Sequence, residues 1–413
     1  MKSFLRLSLL VLFLSPLLLI VSSCNDEVLR TRTYQTRYPV IMKTAEFRAQ
    51  AISLQSPSEM SVPGRIYVYG DYLFINEVNK GIHIVDNTNP SSPKFLNFIS
   101  IPGNNDLAVS DNIMYADNYV DLLAFDITNP VTTHIVKRVE DVFPGHYTNR
   151  AAGLFLTYRD TIITEVMRDD QSGRGRMIDG FFNSAESKQS YGQGGSMARF
   201  TLMNRHLYTV DRSNLRLFNI DNSANPKFIS TIGLGWGIET IFPYQNKLFI
   251  GSNTGMHIYD AANPAAPVKL STYSHFTSCD PVVVSGDYAY VTLRSGTRCT
   301  MGSNVLEVLD IRDLKMPKLV KSFPMQNPHG LGLSGSNLFI CEGAFGLKSF
   351  NAANVLNIGN EQLQHIKNIK ATDVITGPRS LIVTGADGIY QYDYTNAGDL
   401  RQLSHLKISK PAL

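Results

Sequence analysis

One phrase is written repeatedly along this chain, and it limits the fold more than any other feature. The phrase is an apolar strand, a Gly- or Asn-containing turn, a second apolar strand, a third strand ending in Asp, and an Asn-Pro turn. Its clearest copy, IYVYGDYLFINEVNKGIHIVDNTNPSSPKFLNFIS, runs from Ile66 to Ser100. Anchored on the residue that closes the third strand, the copies fall at Asp86, Asp126, Asp221, Asp260, Asp310, Asn351 and Asp393, with spacings of 40, 95, 39, 50, 41 and 42 residues. A period of roughly 40 to 45 residues with four strands per unit marks propeller blades. A lone four-stranded blade cannot bury both faces, whereas blades packed in a ring cover one another and leave only short edges. The expected fold is therefore all-β, a β-propeller of four-stranded blades over residues 63–413. Seven units favour seven blades. The alternatives are six, or eight if residues 152–167 form a blade of their own. Closure would come from blade packing or from an N-terminal strand near residues 38–42 added to the last blade.

Each unit has a physical grammar. In the first, Ile66 and Val68, then Leu73 and Ile75, alternate with other residues as half-buried strands do. Gly70-Asp71 supplies a hairpin turn, and Asn87-Thr88-Asn89-Pro90 a turn in which Asx side chains cap amides while Pro fixes φ. The 95-residue gap is one period plus an insertion, placed at about residues 146–196. Its stretch 168–195 is polar and rich in Gly and Ser, as a long surface loop would be.

The chain has a single Trp, Trp236, whereas a WD-type array or a pyrroloquinoline-quinone enzyme repeats Trp in most blades. Kelch-type Gly pairs are missing from the blades too, since Gly194-Gly195 lies inside the insertion. The segment GIHIVDNTNP, residues 81–90, instead resembles the LVIVD repeat of bacterial cell-surface proteins. The segments VDLLAFDITNP (120–130) and LEVLDI (306–311) resemble it too. This resemblance covers residues 64–405. It implies a fold and almost nothing about activity. The copy ending at Asn351 departs from the motif, with Asn for Asp and no Asn-Pro after it.

The N-terminus reads as a targeting segment. Lys2 and Arg6 precede an apolar run over residues 9–21, too short and too interrupted by Pro16 to span a membrane well. The run ends in Leu19-Ile20-Val21-Ser22-Ser23-Cys24, which resembles the bacterial lipobox. That resemblance implies cleavage before Cys24 and acylation of Cys24, with residues 24–62 as a lipidated tether and lead-in. The alternative is an ordinary secretory signal with a chance Cys. Asn25-Asp26-Glu27 is similar to the surface-export signal of Bacteroidetes-type lipoproteins. The expected location is thus the outer membrane, lipid-anchored and exposed on the cell surface.

Cleavage would remove 23 of 413 residues and take the formal charge from +3 to +1, since Lys2 and Arg6 are lost. A near-neutral body gives no reason to expect nucleic acid as a partner. Cys279 and Cys299 flank one predicted hairpin, and outside the inner membrane a disulfide between them is permitted. Buried thiols are the alternative. Cys341, in the apolar run around Phe339 and Ile340, reads as a core thiol. Gly233-Leu-Gly235-Trp236-Gly237 links two strands, so the dinucleotide reading of its glycines fails. Ser285-Gly286 is a hairpin turn without a following helix, so it is no nucleophile elbow.

A propeller converges its first strands on a central channel. Counting back from each hairpin brings Asp106, Arg199, Glu239, Asp280, His329 and Asp373 to one mouth. Several carboxylates with a His and an Arg could hold a hard cation such as Ca2+, or a polar ligand. The plain alternative is that these groups are solvated or paired with one another. His146 opens the insertion and could face the same mouth.

The function expected is that of a binding module for a protein, glycan or other envelope ligand, in a monomer held to the membrane by its lipid. No residue is assigned a catalytic role, and no cofactor is expected beyond that optional Ca2+. The competing class is a metal-assisted hydrolase or lyase built on a ring of carboxylates, which would need two groups with opposed pKa shifts. A passive scaffold is the third class. The anchor gives the first testable outcome. Cys24→Ala should release the protein from membranes, because anchoring rests on lipid burial at about 0.8 kcal/mol per CH₂. Retention of the variant in washed membranes at high salt would refute it.

Overall fold

The structure is a computed structural model that describes residues 30–149, 151–167, 195–274, 281–295 and 303–409. It divides into two compact units, Met1–Ile41 with Phe155–Phe182, and Met42–Leu154 with Asn183–Leu413. The second unit is the propeller. It contains seven blades, each an antiparallel sheet of strands A to D in chain order, at residues 63–100, 107–139, 200–233, 238–274, 282–324, 331–366 and 371–407.

The blades pack through a repeated aromatic wedge. The third residue of strand B is Phe74, Tyr115, Tyr208, Phe249, Tyr290 and Phe339 in blades 1 to 6, and all six are buried. Each stands opposite the residue two before the end of strand C. Burying each such side chain stabilises the fold by roughly 1.5–3 kcal/mol. Blade 7 has Ile382 in that place, opposite Gln391.

Every strand C ends in the same device. Asp86, Asp126, Asn219, Asp260, Asp310, Asn351 and Asp393 each accept the backbone N–H two residues on, at 2.8–3.1 Å. In six blades a second Asx turn follows three residues later, at Asn89, Asn129, Asn263, Asp313, Asn354 and Asn396. All seven C–D ladders then carry a bulge that re-aims strand D. The blade 3 anchor is Asn219, two residues before the expected Asp221, because its amide oxygen does the capping. Asn351 caps as an Asp would, so the departure in blade 6 is only formal.

The ring closes by packing, without a shared sheet. Ile66, Val68, Leu73, Ile75 and Val85 of blade 1 form one core with Ile375, Ile382, Ile389 and Leu406 of blade 7. Across this seam Asn87 and Gln391, both buried, exchange amide hydrogen bonds of 3.0 and 2.7 Å. Arg379 donates to the Thr88 carbonyl at 3.1 Å and pairs with Asp71.

Residues 30–62, expected as a lead-in, are structured. Ser53–Gln55 adds a fifth strand outside Lys94–Ser100 of blade 1. The short helix Thr44–Arg48 is clamped to blade 2. There Arg48 donates to both oxygens of the buried Asp121, at 2.9 and 2.7 Å, and Arg138 adds a bond of 2.7 Å. In the smaller unit Arg30–Met42 pairs with Gly153–Met167, Thr33 Oγ1 lying 3.0 Å from Thr164 Oγ1 and Arg37 Nε donating to Asp160 at 3.2 Å. Neither the eighth blade nor the N-terminal strand on the last blade is formed. Replacing the anchor tests the turn. Asp86→Ala should cost about 1 kcal/mol, the net worth of such a hydrogen bond, while Asp86→Asn should be close to neutral, as read from urea midpoints.

Candidate functional site

The antiparallel blades give the ring two unlike ends. The A–B turns and the capped C–D turns lie at one end. The D–A connections and B–C turns lie at the other, and five of the charged residues singled out from the sequence belong there. Asp106 and Arg199 immediately precede the first strands of blades 2 and 3. Glu239 is the second residue of Ile238–Tyr244, His329 stands two before Leu331–Ser334, and Asp373 is the third residue of Ala371–Thr376. Cys24, Cys279, Asp280 and Cys299 lie outside the described residues, so the anchor, the disulfide and one ring carboxylate have no geometry here. Cys341 is buried in the core.

Over blades 1 to 4 the positions alternate in sign, Arg65, Asp106, Arg199 and Glu239. Arg65, 4% exposed, lies in the field of Asp106 and Asp373, and burial pushes its guanidinium down to about 9. Burial also lowers Arg199, against the opposing charges of Glu239 and Asp106. Burial raises the Glu239 carboxyl, against Arg199 and Arg294. Burial likewise pushes His329 down to about 4, with Arg294 adding to the shift, so the imidazole is neutral at physiological pH. Arg65 lies near both Asp106 and Asp373, and Arg199 near both Asp106 and Glu239. Among the described residues no three of His, Cys, Asp and Glu come together as a metal would require.

Two of the carboxylates are occupied with backbone. Asp106 Oδ2 accepts the N–H groups of Arg199 at 2.8 Å and Phe200 at 3.2 Å, and its Oδ1 accepts Leu107 N–H at 2.8 Å, so it joins blade 2 to blade 3. Asp373 Oδ1 accepts Val374 N–H at 3.0 Å. Its carboxylate also presses on two glycines. A Cβ on Gly330 would lie 2.2 Å from Asp373 Oδ1, and one on Gly195 2.5 Å. Gly195 and Ser196 belong to the returning limb of the insertion. The buried Ser196 accepts Leu331 N–H of blade 6 at 2.8 Å, and Arg199 opens blade 3 three residues later. The chain thus crosses the mouth of the channel itself.

Other polar pairs escaped the sequence reading. Glu77, at the end of strand B in blade 1, sits 2.8 Å from Nε2 of the fully buried His83 in strand C, and accepts Lys80 at 2.5 Å and Ser61. The equivalent pair in blade 6 is Glu342 with Lys348, at 2.5 Å, and in blade 3 it is Asp211 with Arg216. The signal was an acid before the B–C turn and a base two residues into strand C. His146 is half-buried with its ring edge-on to Tyr119, 5.4 Å between centroids, and burial holds it at about 4, with Arg212 adding to the shift.

Comparison with known proteins agrees with this architecture. Residues 64–98 and 278–324, in blades 1 and 5, match the LVIVD repeat. Among solved structures the chain is similar to the computationally designed Ika8 protein, at 11% identity and a TM-score of 0.52, covering 87% of this chain and 93% of that one. It is also similar to a functionally unknown protein from Desulfotomaculum acetoxidans DSM 771, at 11% identity, TM-score 0.49, and 84% and 98% coverage. Hsv2 from Kluyveromyces lactis follows at 12% identity, TM-score 0.46, and 82% and 98% coverage. No curated protein matches the sequence. The chain is a propeller carrying LVIVD repeats, an architecture suited to an interaction module.

Glu77 supplies a pH test. Burial pushes its carboxyl up, but hydrogen bonds from Lys80, Ser61 and His83 outweigh that and hold it at about 2, below the ordinary 4.5. A depressed carboxylate contributes stability above its unfolded pKa and loses it as pH falls through the folded one. Glu77→Gln should therefore flatten the loss of stability between about pH 4.5 and 2, measured by urea unfolding at successive pH values. An unchanged acid limb would refute the assignment.

Proposed function

We propose that the protein is a recognition module of the cell envelope, and that the end of the propeller bearing the D–A connections is its binding face. The supporting observation is the contrast between the two ends. One is assembled from seven near-identical capped turns. The other gathers Arg65, Arg199, Glu239, Arg294 and His329 in mixed-sign proximity. It also carries the exposed Trp236 and Phe345. A cluster of buried charges of both signs beside exposed aromatic side chains is in keeping with a binding surface. Asp106 and Asp373 hold that face together from beneath.

Cys24 would anchor the module in the outer membrane by its lipid, with Asp26 and Glu27 directing it to the cell surface. No helix among the described residues is long and apolar enough to cross a membrane. The ligand would be a protein, a glycan or another envelope component, held by a monomer. The metal-assisted hydrolase gains no support, because the described carboxylates are paired with arginine or spent on backbone.

Photo-crosslinking residues placed at 236 and 345 should give adducts on whole cells, and the same residue at 316 and 356 on the capped end should give none. Met316 and Leu356 are more exposed than Phe345, so a lack of adducts there would not come from lower accessibility than at 345. Adducts from the capped end alone, from both ends equally, or from neither would overturn the proposal.

A further inference from the structure

Strand D is the outer edge of each blade, and among the described residues only that of blade 1 carries a further strand. There Ser53, Leu54 and Gln55 pair antiparallel with Ser100, Ile99 and Phe98. Ile52 and Leu54, two places apart on this extended segment, pack on the core that runs through blades 1 and 2. The edge so covered reads Lys-Phe-Leu-Asn-Phe-Ile-Ser, residues 94–100. Strand D of blade 3 reads Lys-Phe-Ile-Ser-Thr-Ile-Gly, residues 227–233. Lys, Phe and Ile recur at the first, second and sixth places, with Leu or Ile at the third and Asn or Ser at the fourth.

The two edges differ in exposure. In blade 1 Ile99 is buried, and Phe95 and Leu96 are half-buried. In blade 3 Ile232 is half-buried, and Phe228 and Ile229 are 44% and 37% exposed. An apolar edge strand is a template for another strand, and proteins block such edges with charged residues or Pro. Blocking charges stand on other edges of the ring: Lys137 and Arg138 in blade 2, Lys269 in blade 4, Lys321 in blade 5 and Lys407 in blade 7. The edge of blade 6, Gln362–Ile366, is shorter and carries Gln362, Gln364 and His365. Past Lys227, the edge of blade 3 has neither a charge nor a proline. We propose that this edge receives an extended, uncharged segment of a partner protein, which adds to Lys227–Gly233 as a fifth strand the way Ser53–Gln55 adds to Lys94–Ser100. In a second copy of the chain the segment that fits such an edge is already held on its own blade 1, so the added strand comes from another protein. Main-chain hydrogen bonds give such a strand its affinity, and apolar residues at alternate places, as at Ile52 and Leu54, give it its fit. The surface lies on the outer edge of the ring and does not rest on the reading of either end.

The chain itself supplies the probe. A fluorescein-labelled peptide of residues 50–57, QAISLQSP, would be titrated with full-length protein in detergent and followed by anisotropy. Saturable binding is expected at concentrations up to about 1 mM, the weak end of specific affinity. Ile229→Lys puts a blocking charge on the exposed edge and should weaken binding about tenfold or more. Val268→Lys, on the exposed edge of blade 4, should leave it unchanged. Circular dichroism identical to the parent shows that both variants fold. Two further peptides, N-methylated singly at Ser53 and at Leu54, separate strand addition from apolar adhesion. N–H groups alternate in direction along a strand, so one of the two should lose binding and the other keep it. No saturable binding, undiminished binding by Ile229→Lys, or the same affinity from both N-methylated peptides would overturn the proposal. So would a dimer, seen by sedimentation, that Ile229→Lys dissolves, because the edge would then be filled by a second copy.

Discussion

Everything in the propeller depends on the seam between blade 7 and blade 1. Both blades are completed within themselves, four strands from one stretch of chain, so no strand is exchanged to hold the ring shut. The work falls on packing: Ile66, Leu73 and Ile75 against Ile375, Ile382 and Ile389. An open seam would expose two apolar faces at once. Blade 7 also gives up the aromatic wedge used in the other six. It places Gln391 opposite Ile382, and that amide reaches Asn87 across the seam. A buried amide pair is costly to leave unsatisfied, so it fixes the register of closure where apolar contact alone would tolerate sliding.

The rest of the architecture repeats one local solution. The residue that ends strand C turns the chain by binding an N–H two residues ahead, and the turn delivers strand D through a bulge. This explains why the repeat tolerates Asn for Asp at 219 and 351: either side chain offers the oxygen the turn needs. Apolar positions between anchors vary more, because the aromatic wedge asks for volume and not identity.

Blade number and blade grammar were legible in the sequence, since each is written at a fixed period. That Asp106, Arg199, Glu239, His329 and Asp373 stand at or just before first strands follows from counting back along strands of known direction. What those residues do there was not legible. Arg65 lies in the field of both Asp106 and Asp373, a meeting that no spacing along the chain announces. Arg294 follows the second strand of blade 5, Tyr288–Leu293, and only the ring brings it to Glu239. The pairing of Glu77 with His83, and of Glu342 with Lys348, requires cross-strand register, which repeat period alone does not supply. The ribbon made by Arg30–Met42 with Gly153–Met167 joins segments more than a hundred residues apart, without any shared motif to announce it.

The limb that crosses the channel has a geometric consequence. Ser196 bonds to blade 6, and Arg199, three residues later, opens blade 3. Three residues of extended chain reach at most about 11 Å. That segment, with a turn at Ser196 and Met197, is a short tie set across the ring, and an eighth repeat would have to widen the ring against it. Repeat arrays gain and lose units readily in evolution; this one carries its own gauge, and the insertion, whatever it contacts outside, holds the copy number of the blades where it is.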